Sequence, residues 1–200
     1  MRNLFLSAAF LGLAACATGA TGPDAAARFD RFTEVSTRDF TGYDQVFIAA
    51  PVAGEDIVKR IGVRIPGIRR DVRPLSQRDV DFMLGELNGE LRGAVGSVAT
   101  LVDAPGPGIL TIRTILTDLD ANRPTQIELA QEPGLSLQSL SAGDSSITLQ
   151  FLEDGTLLAE ARDTDNVVSL QDQGVIAAGI WTTARQHFRQ VSNKVAALLS

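Results

Sequence analysis

The chain of 200 residues suits one domain with a tether, and 44% hydrophobic with 21% charged residues is typical of a chain that folds around a core. The net charge of −6 argues against nucleic acid as a partner, because duplex binding depends on neutralising phosphates with Lys and Arg. The one cysteine, Cys16, excludes an intramolecular disulfide, and together with the one histidine it argues against a zinc site.

The first residues have the organisation of a secretory leader. Arg2 gives a positive start, and residues 4–14 form an uncharged, largely apolar run. As a helix this run would be about 16 Å long, which is too short for a hydrocarbon core of about 30 Å but typical of a signal peptide. An ordinary cleaved secretory signal and a buried N-terminal helix are the alternatives.

The run ends in Leu13-Ala14-Ala15-Cys16, which resembles the lipobox of bacterial lipoproteins. The resemblance implies removal of residues 1–15 and three acyl chains, palmitate among them, on Cys16, which is enough for stable membrane anchoring. Removal of Arg2 leaves 17 basic and 24 acidic side chains, a net charge of −7. Ala17 follows the cysteine where Asp would retain an enteric lipoprotein at the inner membrane, so we expect an outer-membrane anchor facing the periplasm.

The mature chain begins with small and polar residues. Residues 17–27 predict a flexible tether, and residues 29–40, in which aromatic and charged side chains alternate, predict an arm that lies against the domain. The predicted organisation is a signal peptide over 1–15, a lipidated tether and arm over 16–41, and a single domain over 42–200.

A buried strand is predicted over residues 45–50, and a basic segment follows over residues 55–73. This segment has a net charge of +3, and its apolar residues predict a small hairpin broken at Gly62 and Pro66. It could contact anionic groups such as lipid phosphates, or it could be a solvated loop beside an acidic body. The candidate contacts are Lys59, Arg60, Arg64, Arg69, Arg70 and Arg73.

The remaining pattern predicts two helices and several strands. Ser76 and Asp79 form a capping-box signature that starts a helix over 76–94, and a second amphipathic helix begins near Ile180. Strands are predicted over 98–102, 109–119, 127–129, 147–151 and 157–162, with Asp154-Gly155 as a two-residue hairpin turn. This order predicts an α+β fold: an antiparallel or mixed sheet of four to six strands with two helices packed on one face.

Several stretches resemble the bacterial lipoproteins known as domain of unknown function thirty-three thirteen. The matching stretches are residues 42–48, 51–52, 101–110, 116–119, 147–152, 154–159 and 181–199, together with Asp163. Residues 153–156 keep the hairpin of that family but not its Thr-Gly-Glu turn. The resemblance implies a fold and an envelope location, and it implies no activity or catalytic residue.

The residues favour no enzyme, metal or cofactor. His187 borders the apolar stripe of the last helix, where histidine is usually structural. Residues 143–145 are similar to the start of a lipase-type Gly-Asp-Ser motif, but such enzymes have Asp three residues before the histidine, and position 184 is Ala. Asp118 with Asp120, or Asp163 with Asp165, could meet a hard cation, but Asp at strand ends commonly caps a turn.

Three functions stay open at this point. The first is a non-enzymatic envelope accessory protein that binds a protein partner not identified by the sequence. The second is a lipid-binding or lipid-transport accessory that uses residues 59–73. The third is a hydrolase acting on envelope polymers through Asp/Glu pairs, although carboxylates such as Asp118 and Asp163 cannot be paired from the sequence alone.

Overall fold

The computed structural model describes residues 25–63, 74–123, 130, 141–165 and 179–200. The predicted leader, including Cys16, lies outside these residues, and so does the predicted strand over 127–129. The strands are β1 (Arg31–Glu34), β2 (Gln45–Ile48), β3 (Val52–Ala53), β4 (Thr100–Val102), β5 (Leu110–Arg123), β6 (Ser141–Glu153) and β7 (Thr156–Asp165). The helices are α1 (Glu55–Arg60), α2 (Gln77–Val95) and α3 (Thr182–Leu199), with a 3-10 turn over Phe40–Gly42.

One open, mixed sheet contains all seven strands. Its order is β1-β7-β6-β5-β2-β4, and β3 pairs with a later part of β5. Pairing is antiparallel from β1 through β7 and β6 to β5, whereas β2 and β3 run parallel to β5, and β4 runs parallel to β2. The predicted α+β class and mixed sheet are confirmed. The predicted count of four to six strands was too low, because β1 lies within the segment that was predicted as an arm and β3 has only two residues.

The central strands follow the period of two that their residues predict. Leu110, Ile112, Thr114 and Leu116 on β5 are each fully buried on one face of the sheet. The β6–β7 hairpin turns at Asp154 and Gly155, whose φ angles of 48° and 77° are both positive, as a type I′ turn requires. Both predictions are confirmed.

Helices α2 and α3 pack against each other and against the apolar face of the sheet. Ser76 caps α2 in a reciprocal capping box with Asp79, as predicted. The two helices also form ion pairs on their outer side, with Arg185 of α3 lying 2.6 Å from Glu86 of α2. Among the described residues, none of the helices has the length and hydropathy of a membrane span.

The predicted hairpin after residue 55 is wrong, because residues 55–60 form helix α1. Acidic residues occupy its first turn and basic residues its last, which suits the helix dipole, and Glu55 pairs with Lys59 at 3.3 Å. Ile57 is fully buried and holds the helix to the domain. A Cβ on Gly54 would lie 3.2 Å from the carbonyl oxygen of Leu116, so glycine allows this helix to begin directly against β5.

The arm residues lie along the edge of the sheet. Strand β1 pairs antiparallel with β7, and the Asp30 carboxylate accepts a hydrogen bond from the Thr164 amide at 2.8 Å. The ring of Phe32 lies 5.9 Å from Phe29 and 6.1 Å from Phe151, between ring centroids. These contacts join the residues that follow the predicted tether to the hydrophobic core.

Candidate functional site

Among the described residues, the buried polar side chains concentrate on the parts of β5, β6 and β7 that extend beyond the apolar core. Strand β5 changes register between Leu116 and Asp118, and this irregularity re-aims the side chains that follow. Near the end of β5, Asn122 accepts a hydrogen bond from the Thr183 amide at 3.1 Å and so fixes the first turn of α3. Asn122 therefore fixes the position of helix α3 relative to this end of the sheet.

A buried hydrogen-bonded chain crosses from β6 to α3 and back to β7; we call it the His187 network. Ser145 Oγ lies 2.7 Å from His187 Nδ1, and His187 Nε2 lies 3.0 Å from Asp163 Oδ1. The Lys194 ammonium donates to Asp163 Oδ2 at 2.6 Å. Ser145, His187 and Asp163 are 0%, 1% and 4% exposed, so water does not compete for these hydrogen bonds.

Asp163 is the anionic centre of this network. Burial alone would raise the pKa of Asp163, but hydrogen bonds from His187 and Lys194 and their positive charge lower it below its ordinary value. The carboxylate therefore accepts from both partners. Because an ionised carboxylate only accepts, His187 Nε2–H donates to Asp163, and the Ser145 hydroxyl lies at the other ring nitrogen, Nδ1.

The same three residue types form the nucleophile–histidine–acid set of serine hydrolases, but two features of this network differ from that chemistry. In the hydrolases the histidine Nε2 faces the serine and Nδ1 faces the acid, whereas here Nδ1 faces Ser145 and Nε2 faces Asp163. Ser145 is also fully buried, so its hydroxyl does not reach solvent. The arrangement fits a network that joins α3 to the sheet.

A second cluster, which we call the Arg60 cluster, consists of Arg60, Asp118, Asp120 and Asp144. The guanidinium of Arg60 donates hydrogen bonds to the carboxylates of Asp118 and Asp120, and it donates to the Leu119 carbonyl oxygen at 2.9 Å. Burial alone would lower the pKa of Arg60, but the charges of Asp120 and Asp118 raise it. These contacts hold the last turn of α1 against β5.

Asp144 completes the Arg60 cluster with a third carboxylate. Burial, and then the charges of Asp120 and Asp118, raise the pKa of Asp144 to about 6, although Arg60 opposes the shift. One oxygen from each of the three carboxylates lies within 4.8 Å of the others, a spacing that oxygen-binding cations also use. Here the Arg60 guanidinium donates to two of the three, so we interpret the group as an ion-pair cluster and assign it no metal.

The structure keeps Asp118 and Asp120 together and places the other candidate residues elsewhere. Asp118 and Asp120 share the Arg60 cluster, whereas Asp163 belongs to the His187 network. Of the six candidate anion contacts, Arg60 is bound by two carboxylates, and Lys59 is 67% exposed, with Glu55 and Asp56 as its neighbours. The other four contacts lie outside the described residues: Arg64, Arg69, Arg70 and Arg73.

The sequence did not predict the His187 network, although each of its members was visible. Ser145 and Asp163 are 42 and 24 residues away from His187 along the chain, so no local spacing connects the three. Position 184, where a lipase-type motif would have Asp, is Ala. The carboxylate comes instead from the neighbouring strand β7. Only the β6–β7 register, which sets Ser145 opposite Asp165 and Ile147 opposite Asp163, brings them together.

No family model matches the chain, and no curated protein matches it either. Among solved structures, a dodecameric PelC variant from Paraburkholderia phytofirmans has a TM-score of 0.40 and 9% identity, over 83% of this chain and 96% of that one. A protein of domain of unknown function 330 from Xanthomonas campestris has a TM-score of 0.41 and 14% identity, over 76% of this chain and 81% of that one. At these TM-scores neither similarity supports an inference about function or assembly.

Proposed function

We propose that the chain is a non-enzymatic cell-envelope lipoprotein whose α+β domain has an accessory or binding role. The observation that carries the proposal is Leu13-Ala14-Ala15-Cys16 at the end of a short apolar run with a positive start. In this proposal Cys16 carries the acyl chains, Ala17 directs the protein to the outer membrane, and the domain faces the periplasm. The resemblance to domain of unknown function thirty-three thirteen is part of the proposal.

The non-enzymatic part of the proposal is supported by the chemistry of the two clusters. Ser145 is a nucleophilic residue type with a histidine partner. Its side chain is fully buried within a network whose members hydrogen-bond to one another. In the Arg60 cluster, the carboxylates of Asp118 and Asp120 accept hydrogen bonds from the guanidinium of Arg60. Groups used in this way serve packing and electrostatics, whereas a general acid or nucleophile has to reach its substrate.

Lipidation can be tested directly in cells. The full-length tagged protein is expressed with an alkyne analogue of palmitate, and the label is read on a gel together with the mass of the N-terminal peptide. We expect label on the wild type and none on Cys16→Ser. Ala17→Ser is the matched control and should keep the label. A free thiol at Cys16 in a chain that retains residues 1–15 would refute the proposal.

The location and the partner require separate experiments. Separation of inner and outer membranes on a density gradient should place the wild type in the outer membrane and move Ala17→Asp to the inner membrane. Crosslinking in intact cells should then capture the same envelope protein with the wild type and lose it with Cys16→Ser. If the lipidated wild type captures no protein reproducibly, the binding role is wrong even though the anchor is right.

A further inference from the structure

Strand β1 forms one edge of the sheet, and among the described residues no strand pairs with its outer side. In an antiparallel ladder, successive residues direct their N–H and C=O groups alternately to the two sides of the strand. The Val35 amide donates to the Leu158 carbonyl oxygen at 2.8 Å. The backbone groups of Phe32 and Glu34 therefore point away from β7, and this edge has room for one further strand.

An open groove of about 430 Å³ lies beside the same edge. Phe32 lies opposite Ala161, which is fully buried, so the side chains of Phe32 and Glu34 project from the core-facing side of the sheet. A strand paired with β1 would direct every second side chain to this side, and one of them would enter the groove. The groove suits an apolar side chain, because most of its lining is apolar: Ala26, Ala27, Phe29, Phe32 and Glu34.

The two faces of this edge carry opposite charges. On the core-facing side, the Glu34 carboxylate has neither a hydrogen bond nor an ion pair among the described residues. On the other side, Arg31 lies directly opposite Arg162 of β7, and like charges at opposed positions repel. Glu160 offsets part of this charge, because it binds Arg162 at 3.0 Å. An added strand would complement both faces with a basic side chain beside Glu34 and an acidic one beside Arg31.

Two segments of this protein itself match the edge poorly. Residues 17–24 contain no basic and no large apolar residue. A second copy of β1 could pair antiparallel through the free groups of Phe32 and Glu34. In that register a Glu34 carboxylate would face each apolar groove, and Val35 would lie opposite Arg31 in place of an acid. The charges therefore favour a strand of different sequence.

We propose that the free edge of β1 binds an extended segment of a partner protein by strand addition. The segment pairs antiparallel with Phe32 and Glu34 through four main-chain hydrogen bonds. Its sequence, read from the N-terminus, has a basic residue beside Glu34, any residue, an apolar residue in the groove beside Phe32, and an acidic residue beside Arg31. This inference rests on the binding role proposed above and specifies the chemistry of the partner.

A synthetic peptide tests the proposal on the purified full-length protein. The probe is the fluorescent, end-blocked peptide Thr-Lys-Thr-Leu-Asp-Thr, and its binding is read by fluorescence anisotropy. We expect saturable binding, and slower hydrogen exchange over residues 31–34 but not over residues 100–102 at the other edge of the sheet. The same peptide with an N-methylated Leu keeps its side chains but loses one main-chain donor, so it should bind about fivefold more weakly.

A charge reversal tests the predicted register. Replacement of the peptide Lys by Glu should weaken binding to the wild type about fivefold, because an exposed ion pair is replaced by a repulsion. The same replacement should strengthen binding to Glu34→Lys by a similar factor. Asp103→Lys makes the same change of charge at an exposed position elsewhere, and it should keep the wild-type preference.

Three outcomes would overturn strand addition at β1: no saturable binding of the probe, equal binding of the N-methylated peptide, or the same charge preference in Glu34→Lys and wild type. A concentration-dependent dimer in sedimentation that protects residues 31–34 without peptide would assign the edge to a second copy instead. If the probe fails while crosslinking in cells still captures a partner, the binding role stands and the partner docks elsewhere.

Discussion

Replacement of Asp163 by Asn tests whether the His187 network holds helix α3 to the sheet. Asn has nearly the same shape as Asp, so the substitution changes hydrogen bonding and charge without opening a cavity. Two donors, His187 Nε2 at 3.0 Å and Lys194 Nζ at 2.6 Å, converge on the carboxylate. The amide of Asn can accept from only one of them and presents its own N–H groups to the other.

The size of the effect follows from these contacts. A hydrogen bond to a charged group contributes about 1.5–3 kcal/mol, and breaking a buried ion pair costs about 3–5 kcal/mol. Because the Lys194 side chain is 23% exposed, water compensates part of its loss. We therefore expect Asp163→Asn to lower the free energy of unfolding by about 2–4 kcal/mol, a large part of the total for a domain of this size.

Urea unfolding followed by circular dichroism and by the fluorescence of Trp181, at the start of α3, measures this difference. Asp44→Asn, at an exposed position, is the matched control and should change stability by less than about 0.5 kcal/mol. The difference between wild type and Asp163→Asn should shrink in acid, since a carboxyl with a lowered pKa loses its contribution as pH falls below 3.8. Equal stability of the two proteins at pH 7 would refute a structural role for the network.

Three further predictions concern the glycines, Ser145 and the basic segment. In thermal unfolding, Gly89→Ala should stabilise the protein by about 0.5–1 kcal/mol, because Gly89 lies on a helix and the added Cβ meets nothing within 4 Å. Gly143→Ala should destabilise the protein by more than about 1 kcal/mol, because the φ of Gly143 is +68° and the added Cβ would lie 2.9 Å from Asn122. A fluorophosphonate probe should leave Ser145 unlabelled in native protein, and stoichiometric labelling that Ser145→Ala abolishes would instead reveal an accessible nucleophile. If the basic segment binds lipid phosphates, the double variant R69E/R70E should bind anionic vesicles about tenfold more weakly, and unchanged sedimentation with vesicles would favour a solvated loop.

The elements that sequence reasoning predicted are those with a long apolar period or a specific turn. Strand β5, helix α2 with its Ser76 cap and the hairpin at Asp154-Gly155 each contain their own signal within a few residues. Helix α1 lacks such a signal because it has only six residues, and its two apolar residues, Ile57 and Val58, are adjacent, which defines neither a helical period nor an alternating one. Its helical form depends on the docking of Ile57 and Arg60 against β5, which is a tertiary effect.

The two polar clusters were beyond prediction for a different reason. Each joins residues from three elements, and the members meet only once strand register and helix position are set. A bulge after Leu116 decides which face of β5 carries Asp118, and one residue of register error would move Asp163 away from His187. The types and numbers of the residues were readable from the sequence, but their pairing was a property of the fold.

The two clusters respond to acid in opposite directions, and this predicts a stability maximum. The lowered pKa of Asp163 makes stability fall as pH decreases below 3.8, whereas the raised pKa of Asp144, about 6, makes stability fall as pH increases through that value. The pKa of Asp165 is also raised, by burial and by the charges of Asp163 and Asp30, and adds to the second effect.

We therefore expect the free energy of unfolding to be greatest near about pH 4, because the contribution of Asp163 is complete above 3.8 and that of Asp144 is lost between 3.8 and about 6. Urea unfolding at a series of pH values should show the maximum in wild type. Asp144→Asn should weaken the decline on the alkaline side and Asp163→Asn the decline on the acidic side, because each removes one titrating group. A wild-type stability that rises steadily from about pH 4 to pH 8 would contradict this account, since it would mean that the buried carboxyls do not govern the pH dependence of the fold.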